Sequence, residues 1–171
     1  MKALELELSM CEPHLESLGE LFQNVRFPES LLKLVIEMRS AKWVTNSLVQ
    51  QLGDMIKHNN QLRFLMLALA GESKLDDSGF EYLISSITTL KKLTVFHLIV
   101  VLPNAQLSEN SLIILGETFK DLSTLTDIEL CWVRLKGFTA QALSKFAGGL
   151  KSLINLKKFS VVIEQMQGFN E

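Results

Sequence analysis

Apolar residues recur along this chain with one spacing: from a starting position the next ones fall at +8, +4, +3 and +3. Leu75, Leu83, Ile87, Leu90 and Leu93 fit it, as do Leu107, Leu115, Phe119, Leu122 and Leu125, and Phe138, Phe146, Leu150, Leu153 and Leu156. Val44, Leu52, Ile56, Asn59 and Leu62 keep the spacing with one polar member, and Pro13, Leu21, Val25, Pro28 and Leu31 keep it with two prolines. These steps are helical and stack the apolar members on one stripe. Where each run ends, an alternating segment begins: Met1/Leu4/Leu6/Leu8, Leu31/Leu34/Ile36/Met38, Leu62/Leu65/Leu67/Leu69, Leu93/Phe96/Leu98/Val100, Leu125/Ile128/Leu130/Trp132 and Leu156/Phe159/Val161/Ile163. Apolar residues at every second position from the fourth to the eighth place turn one face of a strand inward.

The segments start at residues 1, 31, 62, 93, 125 and 156, so one unit repeats across residues 1–171, which read as a single domain. Strand, loop, helix and loop, repeated with so little change in length, predict parallel neighbouring strands and helices on one side of the sheet. No unit can bury its own stripe, so the core forms between neighbours. The expected architecture is α/β, with six parallel strands and five helices near residues 14–25, 44–57, 77–89, 108–121 and 139–150. Asp76 and Asp77, Ser108 and Thr139 stand where N-caps are wanted. Gly148 and Gly149 are expected to end the last helix.

The pattern L-x-x-L-x-L, as in Leu62-Leu65-Leu67, Leu93-Phe96-Leu98 and Leu125-Ile128-Leu130, followed by a helix, resembles the leucine-rich repeats of ribonuclease-inhibitor-like proteins over essentially the whole chain. The resemblance implies a solenoid bent into a horseshoe arc, strands on the concave face and helices on the convex one. The family's Asn or Cys three places after the third Leu is here Ser9, Arg39, Ala70, Val101, Val133 and Glu164. With a period near 31 residues, this is similar to the divergent, loosely patterned repeats of many protist proteins, ciliates included.

Places three, five, seven and nine of each strand point outward on this reading. In the two central strands they are Phe64, Met66, Ala68, Ala70, Val95, His97, Ile99 and Val101, all apolar but His97. The outer strands carry most of the charge. An apolar centre of about 400 Å² with a charged rim resembles an interface. The expected partner-binding residues are Phe64, Met66, Val95, His97, Ile99, Val101, Cys131 and Val133, with Glu37, Asp127 and Glu129 selecting basic groups on a partner protein.

Charge and composition narrow the classes. A formal charge of -2 argues against nucleic acid, and Lys91-Lys92 and Lys157-Lys158 read as solvated loop charges. Glu5 and Glu7 interrupt the apolar run a signal peptide would need, and no apolar stretch approaches membrane-spanning length. Cys11 and Cys131 lie four strand spacings apart, roughly 19 Å, and are expected to be reduced. The expected location is the cytoplasm, its ciliary and cytoskeletal structures included.

The search for chemistry yields little. Gly71-Glu72-Ser73-Lys74 and Gly148-Gly149-Leu150-Lys151-Ser152 lack phosphate-loop spacing, and His14, His58 and His97 lack metal-ligand spacing. No catalytic residue, cofactor, metal or small-molecule substrate is expected. His97 and Glu129 share place five of adjacent strands, about 5 Å apart, with Cys131 diagonal within roughly 8 Å. A cysteine-dependent hydrolase built on these three is the remote alternative, because an open sheet supplies no oxyanion donors. An enzyme regulator in the manner of ribonuclease inhibitors or GTPase activators would need a strongly acidic working surface. The first expectation is a non-enzymatic protein–protein interaction module, a scaffold or structural subunit of a larger assembly.

Overall fold

A computed structural model describes residues 2–7, 24, 27–39, 44–71, 73–102, 105, 107–133 and 139–164. In chain order the elements are β1 (Ala3–Glu7), β2 (Lys33–Met38), α1 (Asn46–Lys57), β3 (Phe64–Ala70), α2 (Asp77–Ile87), β4 (Val95–Val101), α3 (Glu109–Phe119), β5 (Asp127–Val133), α4 (Ala140–Lys151) and β6 (Lys158–Glu164). The strands form one parallel six-stranded sheet in chain order. Register runs place for place, so Leu34, Leu65, Phe96, Ile128 and Phe159 form one row and Ile36, Leu67, Leu98, Leu130 and Val161 the next. The six strands and their parallel pairing are therefore as expected. Four helices are described; the fifth expected one, near 14–25, lies outside the described residues, as does Cys11.

The spacing resolves into two kinds of local structure. The +8 and +4 steps lie on or next to the helices, whereas the final +3 steps are turns. Leu90 N–H donates to Ile87 O and Leu93 N–H to Leu90 O, and the same bonds recur at Leu122 and Leu125 and at Leu153 and Leu156. Three-residue steps match turns closed by i to i+3 bonds. Asn59, the polar member of the second run, is buried there because its Nδ2 donates to Met55 O at 2.8 Å, satisfying a carbonyl at the end of α1. At the other end of each helix, Thr45, Asp76, Ser108 and Thr139 are extended N-caps whose side-chain oxygens accept from backbone N–H groups of the first turn.

The core lies between the helices and the strand places four, six and eight. Leu65, Phe96 and Ile128 are fully buried there with Leu52, Leu83 and Leu115 from the helices, in one continuous cluster. Each fully buried side chain of this size contributes about 1.5–3 kcal/mol, and its partners come from the units on either side.

A ladder of hydrogen bonds joins the helix starts. The first residue of each helix accepts from the N-cap N–H of the next: Asn46 Oδ1 from Asp76 at 3.1 Å, Asp77 Oδ1 from Ser108 at 2.9 Å, and Glu109 Oε2 from Thr139 at 3.0 Å. Asp77 also accepts from the buried Ser111 hydroxyl at 2.7 Å. These bonds join each described helix start to the next.

Gly148 and Gly149 do not end α4, which continues through both to Lys151. Gly149 serves the spacing between helices: a Cβ on it would overlap the Gly116 carbonyl of α3, and one on Gly116 would sit 2.7 Å from Phe146 Cα, whereas one on Gly148 would meet nothing within 4 Å. Among the described residues the glycine with positive φ is Gly71, at 124°, just after β3. Its N–H donates to Val101 O at 2.9 Å, so this glycine extends the ladder between β3 and β4 by one bond.

Two outcomes follow from this packing. Gly149→Ala should cost about 1–3 kcal/mol by forcing α3 and α4 apart, whereas Gly148→Ala should stabilise by up to about 1 kcal/mol; urea melts of the two variants check the contrast. The Asp76 carboxyl is held at about 2, below its ordinary 3.8, by hydrogen bonds from Ser78 first, then from Asn46 and the Gly79 N–H. Its contribution is therefore complete above the ordinary value and lost as pH falls through about 2. Asp76→Asn keeps a good cap, so its urea midpoint should fall less than the parent's across that acid range.

Candidate functional site

The alternation that buries places four, six and eight puts the odd places on the face of the sheet opposite the helices. Register aligns Lys33, Phe64, Val95, Asp127 and Lys158 in one row, and Val35, Met66, His97, Glu129 and Ser160 in the next. Glu37, Ala68, Ile99, Cys131 and Val162 follow, and Ala70, Val101, Val133 and Glu164 close the set. All the sequence-predicted site residues thus fall on one face, and those on β3, β4 and β5 are contiguous. Burial on β4 and β5 alternates strictly, odd places half-buried and even places buried.

The expected degree of exposure is not observed. Phe64, Met66, Val95, Ile99, Val101 and Val133 are half-buried, and Val35 and Ala68 are buried. Strands about 4.8 Å apart on either side shield each odd-place side chain with its lateral neighbours. Among the described residues the exposed large apolar side chains are Val162, on this face at β6, and Tyr82, Leu143, Ile154, Phe159 and Val161 elsewhere.

A chain of polar and aromatic contacts crosses this face from β1 to β6. Glu5 Oε1 accepts from Lys33 Nζ at 2.7 Å, and that ammonium stands 5.2 Å from the Phe64 ring centre. Phe64 meets His97 edge-on at 5.3 Å between centroids. His97 then lies between two carboxylates, its Nε2 3.5 Å from Asp127 Oδ1 and its Nδ1 3.8 Å from Glu129 Oε2. Asp127 Oδ2 is 3.4 Å from Lys158 Nζ. Cation over ring and edge-on ring pairs each contribute about 0.5–1.5 kcal/mol. His97 Nε2 and Asp127 Oδ1 are both buried and face each other at 3.5 Å, with no hydrogen bond to another described residue.

The structure places His97 closer to Asp127 than to Glu129, the neighbour that shared strand place suggested. The imidazole reaches diagonally, from place five of β4 to place three of β5. Cys131 sits in register with Ile99, two residues beyond Glu129, on the half-buried side. Glu37 accepts from Arg39 Nε, just past the end of β2, at 2.6 Å, so its charge is already matched. The contacts of Glu5, Lys33, Phe64 and Lys158 were missed because each depends on the reach of a long side chain across the pleat. The signal available was their common place three or five on successive strands.

Among the described residues no group of three or more His, Cys, Asp or Glu side chains is placed to hold a metal ion, and no helix is long and apolar enough to cross a membrane. No protein-family model matches the chain, and no curated protein matches it.

Proposed function

We propose that this chain is a non-enzymatic protein–protein interaction module of the leucine-rich-repeat kind, a scaffold or structural subunit of a larger cytoplasmic assembly, ciliary or cytoskeletal structures included. On this reading the sheet is the concave side of an arc and holds a helix or extended segment of a partner protein. No nucleic acid, small-molecule substrate or membrane insertion enters the reading. The observation that carries it is the contiguous block of half-buried apolar side chains, Phe64, Met66, Val95, Ile99, Val101 and Val133, bordered by the carboxylates Asp127 and Glu129. Residues already fixed by their lateral neighbours lose little rotamer freedom when a partner covers them, which favours binding. The carboxylates beside His97 favour a partner segment with a basic residue next to its apolar anchors.

The test is to capture the partner by in-cell crosslinking, identify it by mass spectrometry, and measure its affinity for variants. Phe64→Glu and Ile99→Glu should each weaken binding by about 30-fold or more, the size of an interface hot spot, with a loss of stability well below that of a charge placed in the core. Leu67→Glu, which puts an unpaired charge at a fully buried position, should cost about 4 kcal/mol or more. Unchanged affinity in both face variants would remove the open face as the binding surface.

A further inference from the structure

Three carboxylates on the open face of the sheet already meet a cation: Glu5 meets Lys33 at 2.7 Å, Glu37 meets Arg39 at 2.6 Å and Asp127 meets Lys158 at 3.4 Å. Glu129 does not. Among the described residues the ionisable group beside it is the His97 imidazole, whose Nδ1 stands 3.8 Å from Glu129 Oε2. With that imidazole neutral, Asp127, Glu129 and Lys158 together carry one uncompensated negative charge. It lies at the border of the apolar block to which Val95, Ile99 and Val133 belong.

Glu129 has the most accessible side chain of the cluster, 44 % exposed against 26 % for Asp127 and 17 % for His97. A cation arriving from solvent therefore reaches Glu129 first, with Asp127 two residues before it on the same face of β5. Toward β3, His97 meets Phe64 edge-on and Met66 in register, neither of them charged. On β2, Lys33 stands over the Phe64 ring and Glu37 is matched by Arg39. On β5, Asp127 and Glu129 face the two ring nitrogens, and the Cys131 thiol lies one row further along beside Ile99. On β6, Lys158 stands behind Asp127. A charge on the imidazole, the side chain that titrates between about pH 5 and 8, is therefore met by those two carboxylates.

We propose that a partner protein sets one lysine or arginine against Glu129 and Asp127, and that this cation competes there with a proton on His97. The inference rests on the open face being the binding surface. A partner that covers the face takes the carboxylates out of water, and a buried charge without a counter-charge is costly. One cation from the partner, or one proton on His97, balances the group; both together leave a surplus positive charge. Binding of a partner that brings the cation therefore releases a proton, whereas a purely apolar partner would take one up. The sign of the pH dependence separates the two kinds of partner.

A displayed library of random peptides lacking His, Asp and Glu, selected on the full chain at about pH 7.5, supplies the probe, so that any titration in the range of imidazole comes from the chain. Clones that bind the parent but neither Phe64→Glu nor Ile99→Glu are those seated on the face. They should carry one Lys or Arg beside apolar residues. As synthetic peptides they should bind about five- to tenfold more weakly at about pH 5.5, the scale of a single displaced proton. His97→Gln should abolish that pH response. Glu129→Gln should weaken the same peptides about tenfold at the higher pH and leave versions with the basic residue changed to glutamine unaffected. Glu129 is exposed, so this arm decides the matter even if His97→Gln fails to fold. If no clone passes the face filter, the open-face reading itself falls. Clones that pass it without a basic residue, or that bind equally or more tightly at the lower pH, would overturn this inference and leave that reading standing.

Discussion

Strict place-for-place register across the sheet is the constraint on which everything else rests. Because β2 to β6 pair without a shift, inward places meet only inward places, and the rows Leu34–Leu65–Phe96–Ile128 and Ile36–Leu67–Leu98–Leu130 run as continuous apolar ridges under the helices. A slip of one residue would exchange the two faces of a strand, burying His97 or Glu129 in the core and exposing Leu98 or Leu130. The cost of that exchange fixes the register, and the register in turn assembles the cluster around His97 from three separate strands.

The helices must keep the same spacing as the strands for this to hold. Two devices achieve it at opposite ends of α3 and α4. At their starts, Glu109 binds the N–H and hydroxyl of Thr139; toward their ends, Gly116 and Gly149 let the backbones approach. Asp77 does the same between α2 and α3, where it also engages Ser111. None of these contacts lies within a single unit, so each adds to the coupling between neighbours instead of to the stability of one repeat.

What the sequence disclosed follows from which interactions are periodic. Strand starts, parallel order, register and helix positions all derive from apolar side chains recurring every 30 to 32 residues, and these were legible. Helix ends were less so, because the three-residue steps at Leu90, Leu122 and Leu153 satisfy a helical stripe and a turn equally well. Gly149 was misjudged since a glycine near a helix end suits both a terminus and a close helix contact, and only the position of Gly116 on the neighbouring helix separates them. The open face was legible in membership and not in exposure. Place parity puts Ala68 and Ile99 on that face, but shielding by flanking strands leaves Ala68 buried and Ile99 half-buried. The uncovered side chains of β6 carry the same apolar pattern as buried ones and differ in having no strand beyond them among the described residues.

Native-state hydrogen exchange of the parent and of Leu98→Ala tests most directly whether the core exists only between units. Leu98 is 1 % exposed in the central strand β4, and its truncation should cost about 2–5 kcal/mol. If neighbouring units stabilise one another as described, the slow amides along the row that contains Leu98 cannot open independently, and protection at Ile36, Leu67 and Leu130 should fall together by that same amount. Loss confined to β4 and its adjoining helices, with β2 and β5 unchanged, would show units that hold their own cores and would contradict the account.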